Sequence, residues 1–208
     1  MSIKTIIFDI DGVLIWHHPS DPSKDWRRHL LPSDMLALWE EFQKSADWRR
    51  CLRDASLDTR RCFYRHLDRR GQLDRRAADR VIDTWLTYNL VPCRPALGKI
   101  KEWQASGFTC AIASNQDGLR KRRIERWLRK HALDTFPCFI SCDVRTAKPD
   151  TDYFRHIEIS LGRKPEELLL IDDTPENIAA ARKAGWSSFL IDESYRLSPF
   201  KWNSIAFS

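Results

Sequence analysis

The 208-residue sequence has no run of about 18–20 uninterrupted apolar residues, so no membrane-spanning helix is expected. Its N-terminal stretch, MSIKTIIFDIDGV, does not read as a secretion signal, because acidic residues interrupt the short apolar run and no small-residue cleavage site follows. A cytoplasmic location is the expectation. No C-x-x-C pair occurs among the six cysteines, and Cys138-x-x-x-Cys142 lacks a second ligand pair at zinc-finger spacing. Structural zinc is therefore not expected, and without a secretion signal the thiols are expected to be reduced. Internal repeats and low-complexity tracts are also absent.

What is present is the composition of an ordinary globular protein. Apolar residues make up 42% and charged residues 31%, enough for a sizeable core under a well-solvated surface. The length suits one large domain or a core with a smaller insert. A net charge of +6 admits two readings, a nucleic-acid footprint or a basic surface that attracts anionic small molecules. Arginine is concentrated in Arg49–Arg80 and in the stretch Leu119–Lys130. In the second stretch Leu119, Ile124, Trp127 and Leu128 share one helical face, and the basic residues are expected to cover a solvated remainder. Nucleic acid is accordingly not the expected partner. The sequence does not give the oligomeric state.

Short apolar, β-branched runs mark buried parallel strands at Lys4–Phe8, Phe108–Ala113, Cys138–Ser141, Leu168–Ile171 and Ser188–Ile191. Helical patterns lie between them. One covers Ala96–Ser106 and stops at Gly107; another starts at Thr174-Pro175 and runs to Gly185. This alternation predicts a doubly wound α/β sheet. From about Trp16 to Asn89 it breaks: no strand-like run occurs, while Met35–Phe42, Cys62–Leu67 and Ala77–Leu86 repeat apolar residues at helical spacing. The expected organisation is a core of residues 1–15 and 91–208 with a helical insert at 16–90, and Pro92 and Pro95 mark the return.

Four pieces carry polar groups just past a predicted strand end, the edge where open α/β sheets bind ligands. Asp9 and Asp11 in IIFDIDGVL point the same way and repel, so the pair should bind a cation or hold one proton. With Mg²⁺, one such carboxylate attacks phosphorus while its neighbour moves protons. An Asp-Gly turn accounts for Asp11-Gly12 but not for Asp9. Ser114-Asn115 offers a hydroxyl and backbone N–H groups to a phosphate oxygen, or simply a helix cap. Lys148, before a helix read as starting at Pro149, is either a surface lysine or a counter-charge for a phosphoryl group. Asp172-Asp173 ends an apolar strand, a costly arrangement unless a hard cation such as Mg²⁺ is bound; helix capping explains one of the two better than both.

In this order the four pieces resemble the haloacid dehalogenase superfamily of phosphohydrolases, most closely from Lys148 to Asp192. The resemblance implies a Rossmann-like core, a helical cap of the first type, Asp9 as nucleophile and Asp11 as acid/base. It further implies Ser114, Asn115 and Lys148 on the phosphoryl oxygens, Lys148 also offsetting charge on the nucleophile. Mg²⁺ would be held by Asp9, the Asp11 carbonyl, Asp172 and Asp173. An aspartate at position 11 favours phosphate transfer over dehalogenation, where no leaving alcohol needs a proton. Few lysines (Lys24 and Lys44) lie where phosphonate hydrolysis would need one. The expected activity is hydrolysis of a small phosphorylated metabolite, with a sugar phosphate as the substrate the resemblance suggests. The rivals are a catalytically inactive nucleic-acid-binding protein on the same fold and a phosphomutase. His17, His18, Trp16 and Trp26 follow the nucleophile loop, and the tryptophans of the insert are expected chiefly to pack its interior.

Overall fold

The computed structural model describes residues 2–16, 33–72, 74–88, 90–192, 194–195 and 198–205. His17, His18 and Trp26 lie outside the described residues, as does Lys24. Five strands, β1 (Thr5–Phe8), β4 (Thr109–Ser114), β5 (Cys138–Ile140), β6 (Leu168–Asp172) and β7 (Ser187–Leu190), form one parallel sheet in the order β5-β4-β1-β6-β7. Each falls within two residues of an apolar run in the sequence.

Why these runs are continuously apolar is clear from what covers them. Ile6 and Phe8 pack with Ile112 and Ile171 on one face, while Ile7 packs with Ala111 and Leu170 on the other. Both faces are thus buried, and neither tolerates alternating polarity. Helices α5 (Arg94–Ala105) and α6 (Gly118–Lys130) cover the first face through Ile100, Trp103, Ile124 and Trp127. The second face is covered by α8 (Thr151–Leu161) and α9 (Pro175–Lys183), through Tyr153, Phe154, Ile157 and Ala181. A short helix, α7 (Ser141–Val144), follows β5. The result is a doubly wound, Rossmann-like α/β sheet.

Between β1 and α5 the chain forms α1 (Ser33–Lys44), α2 (Ala46–Cys51), α3 (Thr59–Arg69) and α4 (Arg75–Tyr88). These pack around their own apolar cluster rather than on the sheet. Trp39 sits at its centre, 5.0 Å from Phe63, 5.3 Å from Trp85 and 6.0 Å from Trp48 between ring centroids. The expectation that tryptophans pack this segment holds for these three. No helix among the described residues is long and apolar enough to cross a membrane.

Three local readings need correction. A two-stranded antiparallel pair, β2 (Ile15–Trp16) with β3 (Val91–Pro92), lines up the chain leaving the core with the chain returning to it. Two-residue strands carry no period to read. Helix α8 begins at Thr151 with Asp150 as its N-cap residue, so Pro149 lies in the preceding loop. Helix α6 starts three residues after Asn115, and the side chain capping it is Asp117, whose Oδ1 accepts from Leu119 N at 2.8 Å.

Candidate active site

The order of strands puts β1 at the centre, and its C-terminal end is level with those of its two neighbours: Phe8 lies opposite Ile112 and Ile171. Residues just past that line therefore meet, although they come from distant parts of the chain. Asp9 follows β1, Ser114 ends β4, and Asp172 ends β6. Lys148 arrives from the loop before α8.

Asp9, Asp172 and Asp173 present carboxylate oxygens that all lie within 4.8 Å of one another. Asp9 is 7% exposed and Asp172 fully buried. Lys148 Nζ stands 3.1 Å from Asp9 Oδ1 and 2.5 Å from Asp172 Oδ2, and also donates to the Ala113 carbonyl at 2.8 Å. Burial alone would lower the lysine's pKa, but Asp172 and Asp9 outweigh it and hold the ammonium form above its ordinary range. The pKa of Asp9 is raised as well, to about 7, which for an acid favours the uncharged form. Burial is the largest cause; Lys148 pulls it down, and Asp172, Asp173 and Asp11 push it up.

Three acids, two buried and Asp173 half-buried, against one lysine leave an excess of negative charge, which a hard divalent cation relieves. The donor set is all oxygen, as Mg²⁺ requires, so these residues fit that ion. Other contacts fix the acids in place. Asp9 Oδ1 accepts from the Ile10 N–H at 2.7 Å. Asp172 Oδ1 accepts from the Thr174 N–H at 2.9 Å and from Asn177 Nδ2 at 3.0 Å. Gly12 makes room for Asp173: with φ at +79°, a Cβ there would lie 1.7 Å from Asp173 Oδ2.

The carboxylate of Asp11 is not part of that acidic group. Its Oδ2 accepts from Gln116 Nε2 at 2.7 Å and its Oδ1 from Arg120 Nη2. The same Gln116 amide donates to Ser114 Oγ at 2.9 Å, so the hydroxyl and Asp11 share one partner. Asn115 uses its side chain on the Lys148 loop, giving Nδ2 to the Lys148 carbonyl at 2.8 Å and accepting the Lys148 N–H on Oδ1 at 2.9 Å. Two adjacent backbones are thereby pinned, and the lysine is aimed inward.

Four residues named from the sequence, Asp9, Lys148, Asp172 and Asp173, thus meet directly, while Asp11 and Ser114 join through Gln116. Gln116 and Arg120 were not among them. For α6 the solvated-helix reading fails at Arg120, which is 3% exposed. A signal existed: Arg120 is four residues before Ile124 and so shares the buried face with Ile124, Trp127 and Leu128. Gln116 had no such signal, since it sits in a loop.

Residues 3–185 match the haloacid dehalogenase-like hydrolase family, and the chain belongs to it. The phosphatase MT3486 of Mycobacterium tuberculosis is 29% identical over 203 residues, covering 93% of this chain and 89% of that protein. Rat bifunctional epoxide hydrolase 2 is 29% identical over 104 residues, but these are 49% of this chain and only 19% of that one. Among solved structures, a family enzyme of Bacteroides thetaiotaomicron, bt-2542, crystallised with magnesium and inorganic phosphate, superposes with a TM-score of 0.66. It is 17% identical, over 94% of this chain and all of the other.

Proposed function

We propose that this protein is a Mg²⁺-dependent phosphatase that hydrolyses monoesters of small phosphorylated metabolites, with sugar phosphates as the substrate class to test first. The observation that carries the reading is the split between two carboxylates two residues apart. Asp9 lies in a buried, cation-seeking acid cluster, and Asp11 is held outside it by an amide and a guanidinium. The first environment suits a nucleophile on a metal, and Asp11, held off that cluster, is left for proton transfer beside it. The phosphatase and the magnesium–phosphate complex among the similar proteins support the same reading.

In this mechanism Asp9 Oδ attacks phosphorus in line and forms a phospho-aspartate, while Asp11 gives a proton to the departing ester oxygen. Asp11 then takes a proton from the water that cleaves the acyl phosphate, which returns Asp11 to its protonated form and frees Asp9 as a carboxylate. Ser114, the Asn115 backbone and Lys148 hold the phosphoryl oxygens. Asp9, the Asp11 carbonyl, Asp172 and Asp173 hold Mg²⁺, which offsets phosphoryl charge and keeps Asp9 ionised at neutral pH. The helical segment acts as a cap, residues 16–90 inserted into a core of 1–15 and 91–208, in a cytoplasmic protein.

The test is phosphate release from a panel of phosphorylated metabolites with and without Mg²⁺. Activity is expected to need the metal and to vanish in Asp9→Asn. That variant should also melt at a higher temperature than the metal-free parent at pH 8, since it removes a carboxylate whose burial is unfavourable. Undiminished turnover in Asp9→Asn refutes the proposal.

A further inference from the structure

Asp11 is held from two directions by residues of one short stretch, and one of these residues reaches into the helical segment. Gln116 Nε2 and Arg120 Nη2 occupy the two oxygens of the Asp11 carboxylate. Arg120 is buried, and its guanidinium carbon lies 4.8 Å from the centroid of the Trp85 ring on α4, a cation–π contact. The base of this arm is also tied down. Asp117, fully buried, caps the first turn of α6 and accepts from Thr59 Oγ1 at the start of α3 at 2.6 Å. The arginine therefore stands between the helical segment and Asp11, with its backbone anchored on one side and its guanidinium on the other.

A buried arginine on a carboxylate has two possible uses. As a purely structural pair it would stabilise the docking of α6, with equal consequence for every substrate. Its target, however, is the carboxylate two residues after Asp9, and the second oxygen of that carboxylate is on the amide that also holds Ser114. A planar guanidinium fixes a carboxylate's direction more narrowly than an ammonium does. We propose that Arg120 is a positioning residue that aims the Asp11 carboxylate at the leaving oxygen. This inference rests on the phosphatase reading and adds to it a residue that touches no substrate.

The two uses differ in their dependence on the leaving group. A p-nitrophenolate departs with little help from an acid, whereas an alkoxide needs its proton delivered. The ratio kcat/KM ends at the first irreversible step, departure of the leaving group as the phosphoryl group passes to Asp9, so it reports this help directly. In Arg120→Met, kcat/KM for glycerol phosphate should fall about 100-fold and for p-nitrophenyl phosphate no more than about 10-fold, within the usual scale of general acid catalysis. Arg120→Lys should recover part of the alkyl rate, and it carries the comparison if the Met variant shows no cooperative thermal transition. Equal losses on the two substrates, in whichever variant folds, overturn the proposal. Absence of Mg²⁺-dependent activity in the unsubstituted protein instead defeats the phosphatase reading and the proposal with it, and it is distinguishable because it needs no variant.

Discussion

Arginine and aspartate occur in both the sheet and the helical segment, but the two regions use them in opposite ways. In the helical segment the ion pairs lie on the outside. Arg60 reaches Asp79 and Asp83, Arg69 reaches Asp47, and Arg70 reaches Glu41, with most of these side chains well exposed. The interior there is aromatic. At the sheet edge the arrangement is reversed, with Asp9, Asp172, Lys148 and Arg120 nearly removed from water. Exposed pairs contribute little, and a charge deprived of solvent is costly unless partnered. Charge at the sheet edge is thus kept at a cost in stability, as expected of a reactive site, while charge on the helical segment serves solubility.

Three experiments bear on this contrast. The largest effect is expected from Trp39→Ala, which empties the middle of the aromatic cluster. Trp39 is 1% exposed, and the substitution should cost about 3–5 kcal/mol in urea unfolding without shifting Mg²⁺ affinity in the folded protein. A change in metal affinity would show that the two regions are not separable.

Next comes the pH dependence of metal binding. With its pKa raised to about 7, Asp9 is protonated below that pH in the metal-free protein. Mg²⁺ must then displace the proton, so its apparent dissociation constant should fall roughly tenfold per pH unit from about pH 5 to 7 and level off above, as titration calorimetry can follow. The same sign applies to stability. A carboxylate whose folded pKa exceeds its unfolded value favours folding most at low pH. That contribution is lost as pH rises from about 4 through 7, so metal-free melts should weaken across this window. A flat profile in both would mean that the acid cluster is more solvated than its burial indicates.

The smallest effect belongs to Arg60→Met. Removing its bonds to Asp79 and Asp83 should change stability by less than about 1 kcal/mol and leave activity intact. A larger loss would move the surface pairs from solubility to structure.

The strands were legible because burial on both sheet faces leaves only apolar residues between Thr5 and Phe8 and between Leu168 and Ile171. The acids Asp9, Asp172 and Asp173 stood out for the same reason: a charge ending such a run is costly, and helix capping accounts for only one of the adjacent pair. Gln116 and Arg120 were less visible because their work is long-range. Arg120 meets Asp11 across 109 residues, and composition around it read as a basic surface. Only its spacing from Ile124 separated it from Arg122 and Arg126. The β2–β3 pair was invisible for a different reason, since pairing of two residues depends on where the rest of the chain returns.

Gly12 has no side chain, yet it helps set the charge of the site. The Asp173 carboxylate fills the volume that a methyl group on residue 12 would claim. Electrostatics and sterics at these two positions are therefore a single variable. Enlarging residue 12 moves a negative charge, and shortening residue 173 opens a void beside the loop that follows β1. An engineer who wants a different metal or a different acid spacing here has to redesign positions 12 and 173 as a pair.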